Sequence, residues 1–366
     1  MRGLLIALAG LALASSATAQ TAAPPPVAPI DPQIQRALDR LGTAAMSSNQ
    51  GYQIVEDLVT SVGPRLAGSD NEARARDWAV AMLRANGFTN VHVEPFTIPF
   101  WDATREEARI ISPSQQRIVI AALGGSAPTP AGGLEAEVVR FPDMASLEAA
   151  PNAAVQGRIV FVDEHMVRSQ DGSGYGAAVA KRRRCAPVAQ AKGAVACLIR
   201  AVGTDTHRFA HQGSNSRQPD GTHLPAASVA PADADILTRS LVRGTVRVHI
   251  DIDVTTRENA PSGNVVGEIR GRERPDEIVL LAAHLDSWDN GQGAIDNASG
   301  VAIVTAAAKL IRDLPRRPRR TIRVLLAGSE EIGVLGGAEY GRQHPNEHFV
   351  VAGESDFGAG RVYALR

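Results

Sequence analysis

The sequence predicts an α/β protein built on a doubly wound mixed sheet, with a smaller domain inserted into it. Three observations carry that expectation. Strands and amphipathic helices alternate from residue 264 to residue 352. One of those strands, Glu277–Ala283, is a near-continuous apolar run of the kind buried in parallel sheets. A stretch of Gly, Ser, Pro and Thr at Gly124–Gly133 breaks the composition as a domain crossing does. The chain has 366 residues, 44% hydrophobic and 21% charged, which is a natural size for two domains.

The elements follow in order. Arg2, the apolar run Leu4–Ala14 and the small-x-small triplet Ala17-Thr18-Ala19 read as a signal peptide over residues 1–19, so the mature chain is exported to a periplasmic or extracellular space. No later apolar run reaches spanning length without interruption. Residues 20–32 are rich in Ala and Pro and read as a disordered leader. At Ser69-x-x-Glu72 a capping box opens a helix with an apolar stripe of Ala75, Trp78, Ala79, Met82 and Leu83, and Gly87 stops it. Val91–Pro99, Glu107–Ile111 and Gln116–Leu123 are predicted strands. Residues 33–125 therefore form the first part of a main domain and 126–242 an insert. The insert is expected to hold strands Ala136–Arg140 and Arg158–Val162, a helix over Tyr175–Lys192, the strand Ala194–Ile199 and a loop over Gly203–Thr222. Residues 243–366 return to the main domain. There Val246–Val254 alternates apolar with polar, and Asn264–Ile269 and Glu277–Ala283 are strands. A long helix follows over Ala298–Leu314, then the strand Thr321–Ala327, a helix near Gly337–Arg342 and the strand His348–Ala352.

Charge narrows the partners. A formal net charge of -1 gives no electrostatic case for nucleic acid or an anionic membrane. Two basic runs, Lys181–Arg184 and Arg316–Arg320, lack interleaved aromatics and read as solvated helix and loop surface. The two cysteines, Cys185 and Cys197, fall on a helix and the next strand; two separately buried thiols are expected over a bridge, which needs a favourable crossing.

Chemistry concentrates late in the chain. His284-Leu-Asp286 follows one predicted strand, Asp296 precedes the long helix, Glu330-Glu331 follows a second strand and Glu354-Ser-Asp356 a third. In an open α/β sheet such positions gather in the crevice beyond the carboxyl ends of the strands. Carboxylates so close cannot all stay ionised without cations, and an imidazole with three carboxylates suits zinc, with a shared carboxylate suiting a pair. Within Glu330-Glu331 one residue can bind metal while the other moves a proton. Asp286 can orient His284 through its second ring nitrogen.

His284-Leu-Asp286-Ser-Trp, Gly293-Ala-x-Asp296-Asn-Ala-Ser-Gly300, Glu330-Glu331-x-Gly333, Ser355-Asp356-x-Gly358 and the earlier Gly63-Pro-Arg-Leu-x-Gly68-Ser69 resemble the signature of the two-zinc aminopeptidase family. The insert, from Ala122-Leu-Gly-Gly-Ser126 to Leu224-Pro-Ala-Ala227, is similar to the protease-associated domain of that family's plasma glutamate carboxypeptidase branch. The resemblance implies two Zn2+ ions, with Asp296 bridging them, His284 and Asp356 on one, and Glu331 on the other. It implies Glu330 as general base, Asp286 as the residue orienting His284, and a cis peptide after Asp296. It also implies a loop overhanging the site that brings His211 to the substrate. The family carries a fifth ligand, a histidine, downstream of the position of Asp356. Here the late histidines, His344 and His348, both precede Asp356, so a fragment short of one ligand and of the closing elements is expected.

The implied activity is removal of terminal residues from short peptides. Aminopeptidase, dipeptidase and carboxypeptidase action stay open, as does homodimer against monomer. The competing class is a binding protein like the transferrin receptor, which shares the architecture without the zinc chemistry. Retention of His284, Asp296, Glu330, Glu331 and Asp356 together argues against it. A serine hydrolase lacks its Gly-x-Ser-x-Gly elbow here, His207-x-x-x-His211 sits among loop residues rather than on a helix, and Gly291-x-Gly293 lacks the third glycine of a nucleotide loop.

Overall fold

Two very long antiparallel strands, β1 (Thr89–Ser112) and β8 (Arg247–Ile269), run through the whole molecule and tie its two halves together. A computed structural model describes residues 29–215, 224–356, 358 and 360; the expected signal peptide and the leader through residue 28 lie outside the described residues. Where the sequence suggested separate strands at Val91–Pro99 and Glu107–Ile111, and again at Val246–Val254 and Asn264–Ile269, each pair is one continuous strand. The cause is visible in the pairing. Register shifts at Ile98/Phe100 and Ala103/Arg105 reset which face each residue points to, so the alternation breaks while the ladder continues.

The remaining elements hang from this ribbon. Helices α1 (Pro32–Ser47), α2 (Gln50–Ser61) and α3 (Asp70–Ala85) precede it. After it come β2 (Gln116–Ile118), β3 (Ile120–Ala122), β4 (Leu134–Phe141), α4 (Met144–Ala149), β5 (Ile159–Val162), α5 (Ser173–Ala191), β6 (Ala196–Arg200), β7 (Ala226–Val229) and α6 (Pro231–Arg243). Beyond β8 lie β9 (Arg274–His284), α7 (Ser299–Arg312), β10 (Arg320–Ala327), α8 (Leu335–Gln343) and β11 (His348–Glu354). The strand order is β11-β9-β10-β8-β4-β5-β6-β7-β3. Within it β9 pairs in parallel with β10 and β11, while β8 is antiparallel to β10, giving the mixed sheet the sequence predicted. The short β7 and the helix α6 had no counterpart in the sequence reading.

Helices cover both faces of the main sheet. On one face Ile54 and Leu58 of α2, Ala75, Ala79, Met82 and Leu83 of α3, and Val301, Val304 and Ala308 of α7 pack on Val265, Ile322, Val324 and Leu326. On the other, Tyr340 of α8 packs with Val266, Leu280 and Leu325. The capping of α3 is as expected on one side: Ser69 Oγ accepts from Glu72 N at 3.1 Å. The Glu72 carboxylate, however, reaches Gly68 N (3.1 Å) and Ser262 Oγ (2.9 Å) rather than the cap's own amide. The helical run Ala294–Arg312 has the length and composition of a membrane span, yet Val301, Ala302, Val304 and Ala308 are core residues here.

In the other half, Ile159, Phe161, Ala196, Leu198 and Val229 build a second core with Ile110, Val248 and Ile250 from the ribbon's far end. Two expectations are corrected there. Cys185 of α5 and Cys197 of β6 form a disulfide, because the helix crosses the strand with their Cα atoms 6.3 Å apart. The basic run Lys181–Arg184 is solvated only in part: Arg183 and Arg184 are exposed as expected, whereas Lys181 is buried. Ala178, Lys181, Cys185 and Ala189 share the buried stripe of α5, and Lys181 Nζ donates to the carbonyl of Glu164 from a fully buried position.

Candidate metal centre

Each acidic or imidazole group predicted for the site stands at the carboxyl end of a strand or the start of a helix. His284 closes β9, and Leu285 N donates to Ala327 O at 2.7 Å, which aligns that end with the end of β10. Asp296 lies in the turn Ala294–Ala298 ahead of α7, where the Asp296–Asn297 peptide is cis, as the resemblance implied. The Asn297 side chain clamps two segments: Oδ1 accepts from Gly300 N at 3.0 Å, and Nδ2 donates to Ser355 O at 2.8 Å, next to Asp356. A Cβ on Gly300 would stand 2.1 Å from Ser355 O, so only glycine lets the Asp356 segment approach the helix so closely.

These groups converge on His284, whose ring is fully buried. Its Nε2 lies 2.9 Å from Asp296 Oδ1, 3.4 Å from Asp356 Oδ1 and 3.9 Å from Glu330 Oε2. Ligand atoms of His284, Asp296 and Glu331 all fall within 4.8 Å of one another, the one such cluster among the described residues. Nδ1 of His284 faces the backbone carbonyl of Asp286 at 3.0 Å; a carbonyl only accepts, so that nitrogen carries a proton and Nε2 is left to offer its lone pair to a metal.

Asp286 makes further contacts. Its buried carboxylate lies 3.6 Å from His284 Nδ1 and accepts from the backbone N–H of Glu330 at 3.0 Å and of Glu331 at 3.2 Å. It thereby sets the turn that presents both glutamates. Sequence reasoning missed the equally central Arg65. Fully buried, it donates from Nε to Leu285 O (2.7 Å), from Nη1 to Gly63 O (2.9 Å) and Gln292 O (2.8 Å), and from Nη2 to Gly293 O (3.0 Å). It welds the Gly63-Pro-Arg segment to the ends of β9 and of the Asp296 loop. The available signal was a charged residue between apolar neighbours in a motif matched to the family but given no role.

The electrostatics call for a cation. Burial, then the charges of Asp296 and Asp286, push Glu331 up to about 9. Burial also raises Glu330 to about 7, with Asp286, Asp356 and Glu354 adding to it and His284 opposing. Burial disfavours the charged form of His284, but hydrogen bonds with Asp286, Asp296 and Asp356 outweigh it and raise its pKa. One imidazole nitrogen among carboxylate oxygens is a donor set that fits zinc. A carboxylate held between two further ligand groups, as Asp296 is, suits a bridging position.

The centre opens into a cavity of about 800 Å³ whose wall includes Asp296, Glu330, Glu331 and Asp356 on one side and α5 with the loop carrying Phe209 and His211 on the other. His211 therefore reaches the cavity, as the resemblance implied; its Nε2 lies 3.2 Å from Asp205 Oδ2. His207, on the same non-helical segment, points to solvent.

Fold and site together define a metallo-exopeptidase, and residues 264–356 match the model of peptidase family M28. The chain is 35% identical to carboxypeptidase Q of Bos taurus over 329 residues, covering 89% of this chain and 68% of that protein. It is 34% identical to carboxypeptidase Q of Homo sapiens over 312 residues, 85% of this chain and 65% of the relative. The chain thus spans about two thirds of the length of these curated relatives. The crystal structure of a peptidase M28 precursor from Shewanella amazonensis superposes with a TM-score of 0.87 at 46% identity, covering 90% of this chain and 75% of that one. BSAP, a zinc aminopeptidase from Bacillus subtilis, shares the fold at 23% identity and a TM-score of 0.56, over 80% of this chain and 64% of its own. The chain belongs to the two-zinc peptidase family M28, with carboxypeptidase Q among its relatives.

Proposed function

We propose that this chain carries the catalytic centre of an exported exopeptidase acting on short peptides, dipeptides included. His284, Asp296 and Asp356 would hold one zinc, and Asp296 and Glu331 would hold the other. Zinc held there would supply Lewis-acid chemistry, polarising a carbonyl and easing ionisation of a water. Glu330 accepts the proton of that water and returns it to the leaving amine nitrogen. Asp286 holds the turn of Glu330 and Glu331 through their amides and fixes His284 through its own carbonyl. Residues 33–125 and 243–366 make up the peptidase body, 126–242 form a protease-associated insert that roofs the cavity, and residues 1–19 direct export. The disulfide between Cys185 and Cys197 is in keeping with an oxidising compartment.

The observation that carries this reading is the position of Glu330. Its carboxylate oxygen lies 3.9 Å from the buried imidazole yet faces the cavity, so a group able to take a proton stands beside the ligand set; in the metal-free protein burial raises its pKa to about 7. A Glu330→Gln variant is expected to keep its zinc and to lose about 100- to 10,000-fold in kcat on dipeptides. Full activity in that variant, with zinc content unchanged, would remove Glu330 from the role.

A further inference from the structure

Across the cavity from the carboxylates stands a guanidinium with too few partners. Arg182 lies on α5, one residue beyond the buried Lys181, and lines the same cavity as Asp296, Glu331 and Asp356. Its Nε is buried with no hydrogen-bond partner among the described residues, and Nη1 makes one long contact, 3.4 Å, to Tyr175 Oη. Among the described residues Arg182 forms no ion pair with a carboxylate, although the charges of Glu331 and Asp296 act on it through space. Space for a ligand therefore separates the cation from the metal-binding side. The position is also built. A Cβ on Gly213 would stand 2.6 Å from Arg182 Cδ and Nε, so the glycine opens the room in which the stem lies.

An orphaned N–H on a charged side chain carries a desolvation cost that an acceptor supplied by a ligand removes. Guanidinium presents a planar fork that matches a carboxylate with two parallel hydrogen bonds. The opposite wall of the cavity is acidic, so an anionic group on the substrate is steered to this side. We propose that Arg182 binds the terminal carboxylate of a short peptide, so that the insert and the metal centre together select substrates by the distance from scissile bond to C-terminus. The inference rests on the peptidase reading above and adds to it the end of the substrate that is recognised. Arg182 acts here as a specificity residue; it takes no part in moving protons.

The test is binding rather than turnover. Isothermal titration of the zinc-loaded Glu330→Gln protein is run with Ala-Leu, with Ala-Leu amide, and with Ala-Glu amide, whose carboxylate is on a side chain. Ala-Leu is expected to bind about 100-fold more tightly than its amide, the loss that follows when a charge-assisted pair is left unmade. In the Glu330→Gln, Arg182→Met protein the two affinities converge while that of the amide is unchanged, and Arg182→Lys restores only part of the preference. Equal binding of acid and amide before Arg182 is changed overturns the proposal without needing any Arg182 variant to fold. Ala-Glu amide binding as tightly as Ala-Leu would overturn the terminal assignment in favour of a side-chain carboxylate. Failure of all three peptides to bind would instead sink the peptidase reading itself.

Discussion

Asp286→Asn separates the charge of one buried carboxylate from its shape. The aspartate accepts from two adjacent amides, Glu330 N at 3.0 Å and Glu331 N at 3.2 Å, in a fully buried setting. Asparagine offers one oxygen and one NH2, so one amide keeps a neutral acceptor and the other meets a donor. Hydrogen bonds to a charged group contribute about 1.5–3 kcal/mol each, and an unsatisfied buried donor costs about 1–3 kcal/mol. Losing one such bond and weakening the other therefore costs on the order of 3 kcal/mol. The same change loosens the turn that presents Glu331 and removes the negative charge beside His284 Nδ1, so zinc affinity is expected to fall about 10- to 100-fold. Equilibrium denaturation of metal-free protein measures the first effect, and competition for zinc against a chromophoric chelator the second. Wild-type values in both would mean that the carboxylate of Asp286 does not organise the glutamate turn.

Two other expectations follow from the same geometry. Arg65→Met removes donors from the carbonyls of Gly63, Leu285, Gln292 and Gly293 at once, so the folded state is expected to lose on the order of 4 kcal/mol by equilibrium denaturation; a loss under 1 kcal/mol would show those carbonyls readily find other donors. In metal-free protein the folded state holds Glu331 near 9 and Glu330 near 7, both above the unfolded carboxyl value, and raises His284 as well. With more protons bound in the folded state, stability falls as pH rises from about 5 to 9. Thermal unfolding should show that slope without zinc and a shallower one in Glu331→Gln, whereas a slope of opposite sign would contradict the electrostatics.

The site was more legible in the sequence than the scaffold around it. His284, Asp296, Glu330, Glu331 and Asp356 each sit at an element end that local pattern marks well: an apolar strand, a Gly-rich turn, a helix start. Spacing along the chain could not say that Asp286 would hold two backbone amides, since those bonds join the end of β9 to the turn after β10. Arg65 escaped notice for a related reason: it acts through backbone carbonyls, three of them more than 200 residues away, and leaves no pattern of partner side chains. The ribbon of β1 and β8 was read as four pieces because bulges invert the alternation partway along. Lys181 was readable in principle. It falls on the helical stripe of Ala178, Cys185 and Ala189, and the run of positive charge masked that period.

Anomalous diffraction at the zinc edge, from crystals of zinc-loaded protein, tests the central claim most directly. A peak about 2.0–2.2 Å from His284 Nε2, Asp296 and Asp356 is the expected result, with a second about 3.5–4 Å away against Asp296 and Glu331. Zinc bound at other residues, with His284 Nε2 left uncoordinated, would contradict it.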